Sequence, residues 1–427
     1  MKNFYKFQFL VVLLTTSISF SQSFENGVYV TNEGGFGAGN ASVSFISNAN
    51  VLQNNIYSLA NAGATLGDTA QSMFFEGSKS YIILNGSNSI KVVNRYTLVL
   101  EATISGLLNP RYMASFGGNL FVTCWGDPFV TTDDYVAIIN ANTNVISSNI
   151  ALPEGPENIV LNSGKLYVAQ KGGYGFGNKV SVIDAATFAV LTTITVGDVP
   201  NSLVIDNGIL YILCGGLPSY APVETFGSLV KYDLATNAIT STISFATTHP
   251  NNLKIVGSDM YFTIKSAVHK SSLTDTTLPN TALFSVTSQG VAGIYAFNVI
   301  DDVLYVADAG DYTTAGKVYT YSTSGTLLNS FTVGVIPNGF YKAEQNLATE
   351  SFNNELQLTL FPNPTADKFY LNTIENPSIS IYDLSGSIIL NQIYNQNGIE
   401  ISSLKSSVYL VTIELNGKNT VKYLTIK

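Results

Sequence analysis

The chain has 427 residues, of which 46% are hydrophobic and only 11% charged, and its formal net charge is −9. Its arginines are Arg95 and Arg111 alone, so no basic stripe exists to release counterions from a phosphate backbone, and nucleic acid is excluded as a partner. The 24 Tyr and 24 Phe, beside abundant Thr, Ser, Asn and Gly, point to β-structure, because aromatic and β-branched side chains fit a half-buried pleated surface.

At the N-terminus, MKNFYKFQFLVVLLTTSISFSQS combines Lys2 and Lys6 with an apolar run from Phe7 to Leu14, then Ser19 and Ser21 at −3 and −1 of a cleavage before Gln22. The run is too short to span a bilayer, so residues 1–21 read as a secretory signal peptide. No later stretch approaches the roughly 20 apolar residues of a membrane helix. No cysteine follows the signal to carry a lipid, so the mature chain is expected to be exported and soluble.

From residue 25 onward, short strand-like runs recur after turn signals: GVYVTN, KSYIIL, GNLFVT, GKLYVA, GILYIL, SDMYFT and DVLYVA. Their aromatic anchors are Tyr29, Tyr81, Phe121, Tyr167, Tyr211, Tyr261 and Tyr305, at a mean spacing of 46 residues. A second marker precedes four of them: Pro110, Pro156, Pro200 and Pro250 each lie 11 residues before an anchor. Ala70 and Ile294 stand at the same place in two other units. Each unit reads as strand, tight turn, strand, variable loop, strand, short turn, strand. Four short antiparallel strands every 40–50 residues predict a β-propeller blade, and seven anchors predict seven blades. IPNGFYKAE, at 336–344, begins a further innermost strand with no anchor after it. GVYVTN opens the repeats with no innermost strand before it. The last segment is therefore expected to complete the first blade and remove an open sheet edge.

The unit LYVAQ…KVSVIDAATFAVLTTITVGDVPNSLVI resembles the YVTN-type repeat of YncE-like seven-bladed propellers over about residues 25–344. The resemblance implies fold more than activity. Residues 345–355, QNLATESFNNE, read as a linker. Beyond them, Pro362-Asn363-Pro364-Thr365, IYDLSG, ISSLKSSVYLV and the terminal KYLTIK resemble the C-terminal sorting domain of type IX secretion cargo over 356–427, with Ser407 where a glycine is usual. This implies a Bacteroidota host, the type IX machinery as a partner and an extracellular or cell-surface location. The fold class expected is thus all-β: a seven-bladed propeller over 22–344, then a small Ig-like β-sandwich.

Antiparallel alternation places the loops between second and third strands on the same face as the start of each innermost strand. That face receives the long loops NEGGFGAGNA, CWGDPFVTTDDY, QKGGYGFGNK, CGGLPSYAPVETFGS and DAGDYTTAGK, and long loops on a rigid scaffold are where binding resides. They carry Phe36, Trp125, Tyr174, Phe176, Tyr220, Phe226 and Tyr312. One residue past the proline marker, Gln71, Arg111, Glu157, Asn201, Asn251, Tyr295 and Asn338 form an expected polar ring at the channel mouth, above positions that are mostly apolar. Together they suit a large, flat, amphipathic ligand. The glycine loops at 33–41 and 171–179 are near copies of each other, three repeats apart, so the second is a repeat feature and not a phosphate loop.

No catalytic constellation is evident. The histidines are His249 and His269, and no haem-attachment motif or nucleophile elbow occurs. Asp127, Asp133, Asp134, Glu224, Asp308 and Asp311 read as a solvated acidic rim. Cys124 and Cys214 fall two blades apart, too far to bridge, and are expected to be free and partly buried. No cofactor or metal is implied. Among propellers, the YVTNEGGFGAGNAS opening and the loop-face aromatics are similar to Bacteroidota surface propellers associated with outer-membrane transporters, the cobalamin-capturing ones above all. The resemblance implies corrinoid capture. An adhesive scaffold for protein or glycan, and a lactonase-like propeller hydrolase, are the alternatives.

Overall fold

The computed structural model describes residues 23–343 and 358–427, apart from positions 128, 131, 154, 280, 374, 384, 385, 416 and 417. The expected signal peptide and linker lie outside the described residues. The chain divides into two compact units, one ending at Gln345 and the next beginning at Asn346.

The described residues of the first unit form seven four-stranded antiparallel sheets. The inner strands are Ala70–Glu76, Pro110–Phe116, Pro156–Asn162, Pro200–Asp206, Asn251–Val256, Ala296–Ile300 and Pro337–Ala343. Each inner strand touches the next, and the last touches the first, so they close a ring. All seven line one central cavity of about 300 Å³. This is a β-propeller.

The aromatic anchors explain the repeat. Each sits on the second strand of its sheet and packs against the inner strand of the following sheet. Tyr29 clusters with Met73, Tyr81 with Met113, Phe121 with Ile159 and Tyr167 with Leu203. Tyr211 clusters with Leu253, Tyr261 with Phe297 and Tyr305 with Phe340. Removing such a ring from water stabilises by about 1.5–3 kcal/mol, so one large residue per unit glues each sheet to its neighbour. Pro110, Pro156 and Pro200 fit because the first residue of a strand can forgo its N–H, and Pro250 stands just before its strand. Closure follows the expected route: Pro337–Ala343 pairs antiparallel with Gly27–Asn32, with Phe340 opposite Val30.

The start of the inner strands is irregular, and that irregularity makes the mouth of the channel. A register shift falls between Ala70 and Ser72, Pro110 and Met113, Pro156 and Ile159, and Pro200 and Ser202. Such bulges re-aim the extra side chain out of the sheet. Gln71, Arg111, Glu157 and Asn201 lie in them. In the sixth sheet the expectation fails by one residue: Asn251 is laddered opposite Thr263, and the bulge starts at Asn252, whose φ is 58°.

The second unit packs a three-stranded sheet with a four-stranded one built from Ser378–Tyr382, Ile388–Ile393, Ser407–Leu415 and Lys418–Ile426. Phe369, Ile379, Ile381, Ile399, Val411 and Ile413 form its shared core. Asn363 of the proline-flanked motif ties the unit's beginning to its end. Its Nδ2 donates to the Tyr423 carbonyl at 2.7 Å and its Oδ1 accepts from Thr425 N–H at 2.9 Å.

Candidate ligand-binding face

At the channel mouth the bulged side chains join into one hydrogen-bonded network. Arg111 grips Glu157 through Nε to Oε2 at 2.9 Å and Nη2 to Oε1 at 2.8 Å. Its Nη1 donates to Gln71 Oε1 at 2.5 Å. Asn338 Nδ2 donates to the Gln71 carbonyl and to Glu33 Oε1, both at 2.9 Å. Tyr295 donates its hydroxyl to Glu33 Oε2 at 3.1 Å. Five of the seven expected ring residues are thereby connected, two of them through Glu33. Asn201 turns instead to the Pro250 carbonyl at 2.8 Å, and Asn251 stays in its ladder.

Glu33 was invisible to the repeat pattern because it belongs to the first long loop and not to an inner strand. The ring is also more closed than expected, with Gln71 and Glu157 buried. The two carboxylates are tuned in opposite directions. Burial pushes Glu157 up, but the Arg111 guanidinium outweighs it and holds the carboxyl below its ordinary value. Burial dominates at Glu33 and raises its carboxyl, despite hydrogen bonds from Asn338 and Tyr295.

Above this network lies an arc of aromatic rings. Trp125 covers Arg111, whose guanidinium carbon is 3.9 Å from the indole centroid, a cation–π contact. Tyr174 packs edge-on to Trp125 and against Phe129, both at 6.0 Å between centroids. Phe176 meets Tyr220 at 6.3 Å, and Phe226 meets His249 at 6.0 Å. Opposite, Tyr312 stands 5.9 Å from Tyr295. Phe129 and Tyr220 are more than four-fifths exposed, as is Phe36, which has no ring partner among the described residues. The sequence reading missed Phe129, although it stands in the same loop as Trp125.

The two glycine loops fold back on themselves. Gly35 N–H donates to Asn40 Oδ1 at 2.8 Å, and Gly175 N–H donates to the Gly172 carbonyl at 2.6 Å. These two amides are therefore turned into their own loops and withdrawn from any phosphate cradle. Gly155 seats the second loop: a Cβ there would fall 1.8 Å from Gly173 N.

The acidic rim is only partly solvated. Asp134 is 2% exposed and its Oδ1 accepts from Gly155 N–H. Asp311 accepts from Thr313 and Thr314, and Glu224 pairs with His249 at 3.1 Å. These carboxylates brace loops, and no group of three or more metal-type ligands occurs among the described residues. His269 lies in Ala267–Ser272, stacked on Phe262 with burial lowering its basicity. Cys124 and Cys214 are free and fully buried, where only partial burial was expected.

Fold and face together define an all-β propeller with a loop-face mouth, followed by a sorting module. The chain belongs to the family described as "Domain of unknown function (DUF5074)", which matches residues 26–341. Residues 359–427 match the secretion system C-terminal sorting domain, which implies interaction with the type IX secretion system and supports export to the cell surface or beyond. No curated protein matches the chain. Among solved structures, it is similar to a quinonprotein alcohol dehydrogenase-like protein from Bacteroides thetaiotaomicron, at 15% identity and a TM-score of 0.57, covering 76% of this chain and 79% of that one. A functionally unknown protein from Desulfotomaculum acetoxidans is similar at 11% identity and a TM-score of 0.56, covering 75% of this chain and all of that one. At such identities the likeness is one of fold.

Proposed function

We propose that this chain is a surface-displayed binding propeller of the YncE-like kind, not an enzyme, and that its loop face captures a large amphipathic ligand of the corrinoid class. One observation carries the reading: the aromatic arc of Trp125, Tyr174, Phe129, Phe176 and Tyr220 stands beside the hydrogen-bonded mouth. Exposed rings give a flat macrocycle apolar contact area, and fixed polar groups beside them orient its amide edges. A rim this exposed costs solubility and is retained on monomeric proteins mainly where something binds.

Calorimetry of the protein with cyanocobalamin tests the ligand. Micromolar or tighter binding is expected, and Tyr174→Ala should weaken it by about tenfold, the worth of one well-packed aromatic contact. No heat at micromolar concentrations sinks the corrinoid assignment. Retained binding to a glycan array, lost in the same variant, would instead favour the adhesive scaffold.

A further inference from the structure

Positions below the mouth were expected to be mostly apolar, yet Asn158, Asn252, Lys254 and Asn298 line the central cavity. Among the described residues, Lys254 is the one charged residue in that lining, and no Asp or Glu contributes to it. Other lysines have partners: Lys270 pairs with Asp259, Lys342 with Asp301, and Lys231 donates to the Leu273 carbonyl. The Lys254 side chain makes no hydrogen bond or ion pair among the described residues. Most of the wall's amides are engaged, Asn298 with the Phe340 carbonyl and Asn252 with Thr263 Oγ1. Asn158 is not.

Lys254 is half-buried, and an ammonium drawn into such a channel without a counter-charge gains by recruiting an anion. Burial alone pushes the Lys254 ammonium down, and no carboxylate lies close enough to offset it. The cavity of about 300 Å³ has room for a small anion with several waters, at roughly 30 Å³ per water.

We propose that the propeller channel is an anion site, in which Lys254 and the Asn158 amide hold a halide or a small monocarboxylate inside the ring of inner strands. The site is separate from the loop face and does not depend on the corrinoid reading.

Chloride-35 line width, measured with the full-length protein, tests this directly. Excess broadening is expected for the native protein and for Lys254→Arg, and its loss in Lys254→Met. Displacement by sodium formate would assign a carboxylate and resistance to it a halide, either of which supports the site. Equal broadening in Lys254→Met, or none in the native protein, overturns it. Should Lys254→Met not fold, a bromide-soaked crystal of the native protein decides: an anomalous peak at Lys254 Nζ supports the site, and a channel without one overturns it.

Discussion

The buried ion pair of Arg111 and Glu157 is the strongest electrostatic commitment at the mouth. Removing one partner leaves the other charge stranded, so Arg111→Met should cost about 3–5 kcal/mol, while adding Glu157→Met should restore most of that loss. Urea midpoints of the two variants check this. Glu33 has the opposite sign. Its carboxyl is raised in the fold, so between its ordinary value of 4.5 and the raised one the native state binds more protons than the unfolded state. Its contribution to stability therefore falls as pH rises through that window. Glu157 is depressed in the fold, so its contribution is full above its unfolded value and lost as pH falls through the folded one. Stability measured against pH should lose the downward slope above 4.5 in Glu33→Gln while keeping the acid limb. An unchanged slope would mean that Glu33 titrates normally.

Elements show what a single sequence can and cannot reveal. Anchors and prolines were legible because they recur at a fixed phase, once per packing contact. Glu33 and Phe129 were not, because loop residues carry no phase and reach the site only through the turn that holds them. Asn251 was misplaced for a related reason: a bulge slides by one residue without altering the spacing of proline and anchor. The inward aim of Lys254 was equally silent, since one lysine in a strand reads as solvent-facing. The glycine loop at 171–177 shows how closely such elements are seated. Gly155 has a φ of 70° and no room for a Cβ, so Gly155→Ala should displace the loop that carries Tyr174 and Phe176. Ligand affinity should fall together with the melting temperature. A melting loss with native affinity would place the ligand elsewhere on the face.

For the whole molecule, closure is the decisive event. Phe340 is 4% exposed and joins the last inner strand to Tyr305 and Val30. Phe340→Ala should cost about 3–5 kcal/mol, as should Phe297→Ala at the corresponding place one sheet earlier. Denaturant titration compares them. A neutral Phe340→Ala would show that the ring holds without its seam.

That seam also sets an order of events. Six neighbouring contacts in the ring join segments close together along the chain, but Gly27–Asn32 must wait for Pro337–Ala343. Pairings this distant in sequence are slow to form. A chain delivered from its N-terminus is thus an unlocked stack of sheets, threadable and still soft, until its final strand emerges. The sorting module, residues 359–427, comes later in the chain than that strand. The lock is thus finished before the address label is written, so the propeller can close while the module that directs export is still being made.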